Sequence, residues 1–212
     1  MNKKELLPII IILIMFLIGF YFYPQFPERM PIHWNAKGEI DGYGSRFSGL
    51  FLIPLVSLGI YLLFLVIPKI AVYKKNIKDF SKYFFGFKLV FVLFFFCLYV
   101  VTILQTIGYR FSMNYFMFPA IAALFYFIGY ILKFAKRNFF IGIRTPWTLS
   151  NDEVWNKTHF LGSKMFKIAS IVAFFGIFFG KYGIWFIMIP ILVGVLFLVG
   201  YSYLIYQKEI KH

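Results

Sequence analysis

The residues of this chain that are best suited to acid–base or metal chemistry lie in two short segments. In the first, His33, Glu39 and Asp41 follow Glu28 in a stretch that separates two long apolar runs. One histidine with several carboxylates can bind a divalent metal or transfer protons, so a metal-dependent enzyme is one hypothesis. The spacing matches no established metal motif, and such side chains more often hydrogen-bond the exposed backbone of their own loop.

The backbone that carries these residues is predicted to form a β-hairpin. Prolines at 24, 27 and 31 exclude a regular helix, because proline lacks an N–H donor and forces the preceding residue into extended geometry. Asn35 to Gly38 then fits a short reversal in which Gly38 supplies a positive φ, with residues 32–34 and 39–41 as short strands. Asp41, followed by Gly-Tyr-Gly, is a further candidate turn.

The second segment runs from residue 137 to residue 162 and is predicted to contain the start of a helix. Ser150 followed by Glu153 forms a capping box, and a helix should therefore begin at Asn151. Beyond it, a stripe at helical spacing can lie in a membrane interface or against neighbouring helices; its members are Trp155, His159, Gly162 and Phe166.

Arg144 is the side chain of this second segment that is most able to bind an anion. It precedes Thr-Pro-Trp147, and a short turn of this composition can present a guanidinium beside an aromatic face. Two partners are open for it: an anionic lipid headgroup, or an internal clasp with the carboxylates of Asp152 and Glu153. His159 with the same carboxylates is a second candidate for the enzyme hypothesis, although no Ser-His-Asp order, H-E-x-x-H or glycine-rich phosphate loop supports it.

The elements that must position these residues are membrane-spanning helices. The chain has 212 residues, 61% hydrophobic and only 14% charged, whereas a soluble domain is about half apolar and about a quarter charged. The single Cys97 excludes both a disulfide framework and a cysteine-based zinc site. Six nearly charge-free runs are long enough to cross a bilayer, at residues 6–23, 50–68, 89–109, 115–132, 165–180 and 183–206.

Basic residues predict how these spans are oriented. Of the 22 Lys and Arg residues, 17 fall in the N-terminus, the segments 69–88 and 133–167, and the C-terminal tail. By the positive-inside rule, both termini and the two basic segments are cytoplasmic, and residues 24–49 lie outside the cell membrane. Membrane topology thus accounts for most of the +14 net charge, and no direct contact with nucleic acid is expected.

The predicted fold is an all-α integral membrane protein, a six-helix transmembrane bundle with a short extracellular β-hairpin-like loop. We divide it into residues 1–68, the first two spans with the loop 24–49, and residues 69–212, a four-helix region with the cytoplasmic loop 133–164. No Asp or Glu lies within the apolar cores of the spans, which argues against an ion-coupled transporter. Gln105, Thr102 and Ser170 are expected to hydrogen-bond between helices.

Two sequence motifs resemble those of a known family. Residues 31–41 follow the pattern Pro-Ile-His-Trp-Asn-x-x-Gly-x-Ile-Asp, and residues 140–148 read Phe-Ile-Gly-Ile-Arg-Thr-Pro-Trp-Thr, with Trp155 and His159 beyond them. In this order and topology they closely resemble the SdpI family of bacterial integral membrane proteins, over nearly the whole chain. The resemblance implies a protein that is not an enzyme, has no cofactor and gives immunity to a secreted antimicrobial peptide toxin. It also implies signal transduction, in which the engaged protein holds a winged-helix transcriptional repressor at the membrane.

The same resemblance assigns candidate site residues by position. The toxin- or ligand-sensing loop would use Pro31, His33, Trp34, Asn35, Gly38 and Asp41. The cytoplasmic motif would use Gly142, Arg144, Thr145, Pro146, Trp147, Thr148, Trp155 and His159. The expected partners are membrane lipids, a peptide toxin outside and a repressor inside. The alternatives are a membrane-bound metal-dependent enzyme and a lipid-binding or transport protein.

Overall fold

The structure is a computed structural model that describes residues 3–210. Six helices are each long and apolar enough to cross a membrane: α1 (Leu6–Phe22), α2 (Arg46–Ile70), α4 (Ser81–Thr106), α5 (Asn114–Leu132), α7 (Asp152–Phe175) and α8 (Trp185–Ile210). The short helices α3 (Lys74–Asp79) and α6 (Pro146–Ser150) lie between them, and the antiparallel strands β1 (Arg29–Trp34) and β2 (Ile40–Ser45) join α1 to α2. The predicted six-helix membrane bundle with one small hairpin is confirmed.

The connections between the helices gather at two ends of the bundle. The end that we call the hairpin end holds the β-hairpin, residues 107–113 and a turn of 3₁₀ helix over Gly176–Tyr182. The opposite end, the basic end, holds a second 3₁₀ turn over Lys3–Glu5, helix α3, residues 133–151 and the C-terminal end of α8. Asn76 Nδ2 donates to Arg137 O at 2.7 Å, so separate connections of the basic end contact one another.

Helices α1, α2 and α4 enclose one apolar core, which includes Met15, Leu50, Tyr61, Val92 and Tyr99. Strand β1 adds the fully buried Met30 to this core, so the hairpin is packed onto the helices rather than free in solvent. A second cluster at the basic end joins α4, α5 and α7 through Phe80, Phe84, Ile131, Ala135 and Trp155. Helix α5 packs along α7, and α7 packs along α8. In soluble folds, burial of apolar side chains away from water is the main stabilising force. Lipid tails are as apolar as these side chains, so here close packing between the helices is the main source of stability.

The start of helix α7 differs from the prediction. Its N-cap is Asn151, whose Oδ1 accepts hydrogen bonds from the backbone N–H groups of Glu153 at 2.7 Å and Val154 at 3.2 Å. The predicted capping box of Ser150 and Glu153 is therefore wrong, and the helix begins at Asp152. Asn151 has extended backbone geometry, which suits an N-cap, whereas Ser150 is the last residue of α6.

The capping box of this region belongs to helix α6 and not to α7. Thr145 Oγ1 accepts from the Thr148 N–H at 3.1 Å, and Thr148 Oγ1 accepts from the Thr145 N–H at 2.9 Å. Pro146 occupies the first helical turn, where its missing N–H costs nothing and its fixed φ matches the helix. These three residues start a helix that extends to Ser150, which removes Ser150 from the capping position of α7.

Helices α4 and α7 begin well before the spans predicted for them. Helix α4 starts at Ser81 rather than near residue 89, so Lys88 lies inside the helix and not in a loop. Helix α7 runs unbroken from Asp152 to Phe175 and therefore joins the second motif to the fifth span, which was predicted at 165–180. The spans were predicted as nearly charge-free runs, so these two predicted runs begin directly after a lysine. A helix can continue through a lysine if its charge is paired or if its ammonium group reaches water.

The polar residues of the spans behave differently from the expectation that they bond between helices. Thr102 Oγ1 donates to Leu98 O at 2.9 Å, and Ser170 Oγ donates to Lys167 O at 2.7 Å, both within their own helices. Short hydroxyl side chains in a helix easily reach the carbonyl one turn back, so they need no second helix. Gln105 has a longer side chain, and it bonds to the hairpin end as described below.

Candidate functional site

The turn of the hairpin is built by Asn35 and Gly38. Asn35 Oδ1 accepts from the N–H groups of Lys37 at 2.8 Å and Glu39 at 3.1 Å. Gly38 has a φ of 75°, and its N–H donates to Asn35 O at 2.8 Å. The predicted reversal with a positive φ at Gly38 is confirmed, because only a residue without a Cβ adopts this conformation easily. The second candidate turn, at Asp41, is wrong: residues 40–45 form strand β2, whose pairing with β1 shifts register at Asp41 without reversing the chain.

The turn of the hairpin docks onto the loop that precedes α5. The N–H of Met113 donates to Gly38 O at 2.9 Å, and Ser112 Oγ donates to Lys37 O at 2.8 Å. Asn114 Nδ2 adds a third bond, to Ala36 O, at 3.0 Å. A Cβ on Gly38 would collide with the Ser112 hydroxyl, so glycine is needed here for close approach as well as for its φ.

Gln105 ties the base of the hairpin to helix α4. Its Oε1 accepts from Trp34 Nε1 at 2.7 Å, and its Nε2 donates to Phe111 O at 2.9 Å. From the sequence, Gln105 was expected only to hydrogen-bond between helices, and its role at the hairpin was not predicted. The sequence did contain a signal for this contact. Gln105 is polar and lies near one end of an apolar span, and the predicted topology places that end on the same side of the membrane as the loop that contains Trp34.

Of the candidate metal or acid–base groups of the hairpin, His33 and Asp41 come together and Glu39 does not. His33 Nδ1 lies 2.6 Å from Asp41 Oδ1 in an exposed pair. Glu39 points elsewhere, and its Oε2 accepts from Asn35 Nδ2 at 3.1 Å. Within residues 3–210, no three His, Cys, Asp or Glu side chains come together as a possible metal ligand set. The spacing in sequence suggested convergence, but Glu39 precedes β2, and its bond to the Asn35 side chain in the turn holds its carboxylate away from the pair.

A groove opens beside the hairpin, with a volume of about 520 Å³. One wall is the hairpin from Ile32 to Ala36, and the other walls are α4, α5 and the start of α8. The helix side chains that line it are apolar apart from Asn114: Leu98, Met113, Met117, Phe118, Ile121, Ile184 and Ile187. We call this space the hairpin groove. Predicted site residues His33, Trp34 and Asn35 line it, whereas Pro31 and Gly38 are buried and position the hairpin.

Asn138 organises the loop that leads into the second motif, and it is almost fully buried. Its Nδ2 donates to Lys136 O at 2.8 Å and to Ile141 O at 3.0 Å. Its Oδ1 accepts from the N–H groups of Phe140 at 2.8 Å and Ile141 at 2.7 Å. All four bonds are local, so one carboxamide replaces regular secondary structure over this stretch. Asn138 lies within the second segment, but no sequence pattern assigned it a role.

Gly142 lies against a stacked pair of rings on α7. Trp155 and His159 stack with ring centroids 3.9 Å apart, and both are almost fully buried. His159 Nε2 accepts from the N–H of Ile143 at 3.0 Å, while Nδ1 faces Trp155 O at 2.8 Å. These partners require a neutral ring with its proton on Nδ1. Gly142 has a φ of 121°, and a Cβ there would meet His159 Nε2 and the Trp155 ring.

The remaining buried members of the second motif hold α6 to α8. Thr145 Oγ1 lies 3.0 Å from Ser202 Oγ on α8. Thr148 Oγ1 donates to Ile143 O at 2.8 Å, and the ring of Trp147 lies 5.1 Å from that of Tyr203. The stripe that begins at Trp155 therefore packs against neighbouring helices. The sequence had left open whether it does so or lies in the membrane interface. Trp155 Nε1 completes this packing with a bond to Ala135 O at 2.8 Å.

Arg144 and Arg137 exchange the roles expected from the sequence. The carboxylate clasp is made by Arg137, whose Nε lies 2.8 Å from Asp152 Oδ1 and whose Nη1 donates to Leu149 O at 3.0 Å. Arg144 is exposed and donates from Nη1 to Phe139 O at 2.6 Å. Of the two partners left open for Arg144, the internal clasp with Asp152 and Glu153 is therefore not formed. Helix α6 intervenes and carries Arg144 away from the start of α7, whereas Arg137 lies beside it.

Exposure divides the eight predicted residues of the second motif into two groups. Thr145, Thr148, Trp155 and His159 are buried and form an internal framework together with Gly142. Arg144 and Pro146 are exposed, and Trp147 is half-buried. His159 lies apart from Asp152 and Glu153, since its ring nitrogens face the backbone of Ile143 and Trp155. Any contact with a partner protein at this motif would be made by the exposed group.

Comparisons with known proteins agree with this arrangement of two motifs. A family model described as a domain of unknown function (DUF1648) matches residues 10–58, which hold α1, the hairpin and the start of α2. The SdpI/YfhL protein family model matches residues 135–204, which hold the second motif, α7 and most of α8. The chain is also 28% identical over 207 residues to the immunity protein SdpI of Bacillus subtilis (strain 168), with 97% of each chain covered. No solved structure matches it. Both motifs thus fall in matched regions, and the similarity extends over nearly the whole length: the chain is a multi-pass membrane protein that is similar to an immunity protein and whose C-terminal third matches the SdpI/YfhL protein family.

Proposed function

We propose that this protein gives immunity to a secreted antimicrobial peptide by binding it in the hairpin groove. The observation that carries the proposal is the groove itself, an apolar space of about 520 Å³ walled on one side by motif residues. Apolar clefts with a few placed polar groups are the usual form of a binding site. His33, Trp34 and Asn35 supply those polar groups here. The similarity to an immunity protein over 97% of the chain supports the same function.

In this proposal the hairpin end faces the cell exterior and the basic end faces the cytoplasm. The support is the distribution of charge, because 17 of the 22 Lys and Arg residues fall in the N-terminus, the segments 69–88 and 133–167, and the C-terminal tail. A peptide that partitions into the outer surface of the cell membrane would then contact the groove at the level of the hairpin. The proposed activity is binding, without a catalytic step.

The protein also transduces this binding to a cytoplasmic winged-helix repressor, which it holds at the basic end. The exposed residues Arg144 and Pro146 are the docking surface in this proposal. Helices α5 and α7 are the route between the two sites, since α5 lines the groove and α7 carries the buried Trp155 and His159 of the second motif. They pack closely: a Cβ on Gly129 of α5 would lie 2.8 Å from Ser163 O of α7. A movement of α5 at the groove therefore has a direct mechanical path to the basic end.

Filling the groove tests the binding proposal. We expect Met117→Trp to lower the toxin tolerance of an expressing cell by at least about tenfold, because an added indole removes space that a peptide would occupy. The measurement is the minimal inhibitory concentration of candidate peptides against a sensitive strain that expresses the protein. Leu196→Trp is the matched control, since Leu196 is exposed on α8 away from the groove and should accept an indole in lipid.

Equal tolerance in cells with the native protein, the two variants and an empty vector, across a panel of peptides, would contradict immunity. Loss of tolerance in both variants to the same extent would contradict the placement of the site in the hairpin groove.

Arg144→Gln tests the docking surface. We expect the variant to lose repressor recruitment while its membrane insertion and toxin tolerance stay native, because Arg144 is exposed and its single bond in the structure is to Phe139 O. The measurement is the fraction of a tagged repressor that sediments with membranes after exposure to toxin. Lys133→Gln is the control, since Lys133 is also exposed at the basic end and the variant loses the same charge. Equal recruitment by native protein and Arg144→Gln would refute this docking surface.

A further inference from the structure

A second cavity, of about 510 Å³, lies at the basic end and is lined by five lysines and one carboxylate. These residues come from the start of α1, from α3 and from the first turns of α4: Lys4, Glu5, Lys74, Lys78, Lys82 and Lys88. We propose that this cavity binds the phosphate of an anionic phospholipid headgroup. We call it the lysine cavity. It is separate from the hairpin groove and from the second motif, and the proposal does not depend on the immunity function.

The charges of the lysine cavity are only partly neutralised within the protein. Lys88 is 4% exposed and forms an ion pair with Glu5, which is the only carboxylate of the lining. Among residues 3–210, no ion pair is formed by Lys74, Lys78 or Lys82, and all three are exposed. An anion placed among these ammonium groups would gain favourable interactions that no group of the described chain supplies.

The apolar part of the lining indicates that the anion belongs to an amphiphile. Pro68 at the end of α2, Ile77 of α3, and Phe84 and Phe85 of α4 form the rest of the wall. The cavity lies where α1, α2 and α4 begin or end, which is the level of lipid headgroups beside a membrane-spanning bundle. A phospholipid can place its phosphate among the lysines and its glycerol and first methylenes against these apolar side chains. A free phosphate ion would leave the apolar wall unused.

Arg144, which the sequence suggested for lipid binding, and the nearby Arg137 both contact other groups of the protein. Arg137 contacts Asp152 and Leu149 O, and Arg144 donates to Phe139 O. Neither lines the lysine cavity. The lysines of α3 and α4 are therefore better placed to bind a lipid phosphate than the arginines of the second motif.

The test uses the full-length protein, purified in a neutral detergent. Binding of phosphatidylglycerol, of phosphatidylcholine with the same acyl chains and of inorganic phosphate is measured for the native protein and three triple variants. K74Q/K78Q/K82Q removes three charges from the cavity. K69Q/K75Q/K133Q removes three exposed charges that lie outside its lining. K74R/K78R/K82R keeps the charges.

We expect phosphatidylglycerol to bind the native protein, the control and the arginine variant with similar affinity. Loss of one lysine near an anionic lipid weakens binding about five-fold, so K74Q/K78Q/K82Q should bind roughly 100-fold more weakly. Phosphatidylcholine and inorganic phosphate should bind weakly to all four proteins. K78Q alone, which leaves five of the six charged lining residues, should show about a five-fold loss.

Three results would overturn the proposal. Equal weakening of K74Q/K78Q/K82Q and K69Q/K75Q/K133Q would mean that only the overall charge matters. Native affinity in K74Q/K78Q/K82Q would mean that lipid binds elsewhere. Inorganic phosphate that binds as tightly as phosphatidylglycerol, with the same loss in the variant, would mean that the cavity holds a free anion and not a lipid.

Discussion

Lys88→Met is expected to destabilise the protein by about 3 kcal/mol, because it leaves the Glu5 carboxylate without its cation. The Lys88 ammonium is buried among three helices, where it pairs with Glu5 and lies within 6 Å of the Tyr61, Phe84 and Phe85 ring centroids. Tyr61 Oη also donates to Glu5 Oε2, at 2.6 Å. These contacts join the start of α1 to α2 and α4, so the loss should loosen the first three long helices together.

The measurement is unfolding in graded mixtures of denaturing and mild detergent, followed by tryptophan fluorescence. Two further variants separate the buried charge from a general effect. Glu5→Gln combined with Lys88→Met should recover most of the lost stability, since no unpaired charge then remains. Lys157→Met, which breaks exposed ion pairs with Glu153 and Glu209, should cost far less. If the double variant is no more stable than Lys88→Met alone, the ion pair is not the cause of the loss.

Gly142→Ala is expected to cost about 3 kcal/mol, through two effects that act at the same position. The φ of 121° is unfavourable for any residue with a side chain. The new methyl group would also meet His159 Nε2 and the Trp155 ring, which are held by their own hydrogen bonds. Relief requires that the loop withdraw from α7, which breaks the bond from the Ile143 N–H to His159 Nε2.

Hydrogen exchange at the Ile143 amide gives a local measurement of this change, and detergent unfolding gives the global one. We expect faster exchange over residues 138–150 with little change in α1 and α2. Gly59→Ala is the matched control: Gly59 lies in α2 with nothing within 4 Å of the added Cβ, so alanine should be neutral or slightly stabilising in the helix. Native exchange at Ile143 in Gly142→Ala would show that the loop tolerates a side chain there.

Features that depend on nearby residues were predictable from the sequence. The hairpin turn follows from Asn35 and Gly38, because the carboxamide of Asn35 and the backbone freedom of Gly38 act within four residues. The boundary of α7 was predicted less well, although the capping residues are also local. Three residues of this region can cap a helix: Thr145, Ser150 and Asn151. Which of them caps α7 depends on whether residues 146–150 are themselves helical, as they are in α6.

The division into residues 1–68 and 69–212 and the assignment of toxin-sensing and repressor-docking residues stay predictions. The geometry gives them a more specific form. In the hairpin, His33, Trp34 and Asn35 face a groove while Pro31 and Gly38 are buried. In the second motif, Arg144 and Pro146 are exposed while His159 and its neighbours form a framework. The variants at these positions therefore separate binding from folding.

The sequence by itself determined the membrane class, the six helices and the hairpin, because hydropathy, charge and turn residues act over short stretches of chain. Only the tertiary structure decided which polar groups meet. Trp34 bonds Gln105 across 71 residues, Lys88 pairs with Glu5 across 83, and Arg137 rather than Arg144 takes Asp152. Several side chains of each type could satisfy each partner, and the packing of the helices selects one by bringing it within hydrogen-bonding distance.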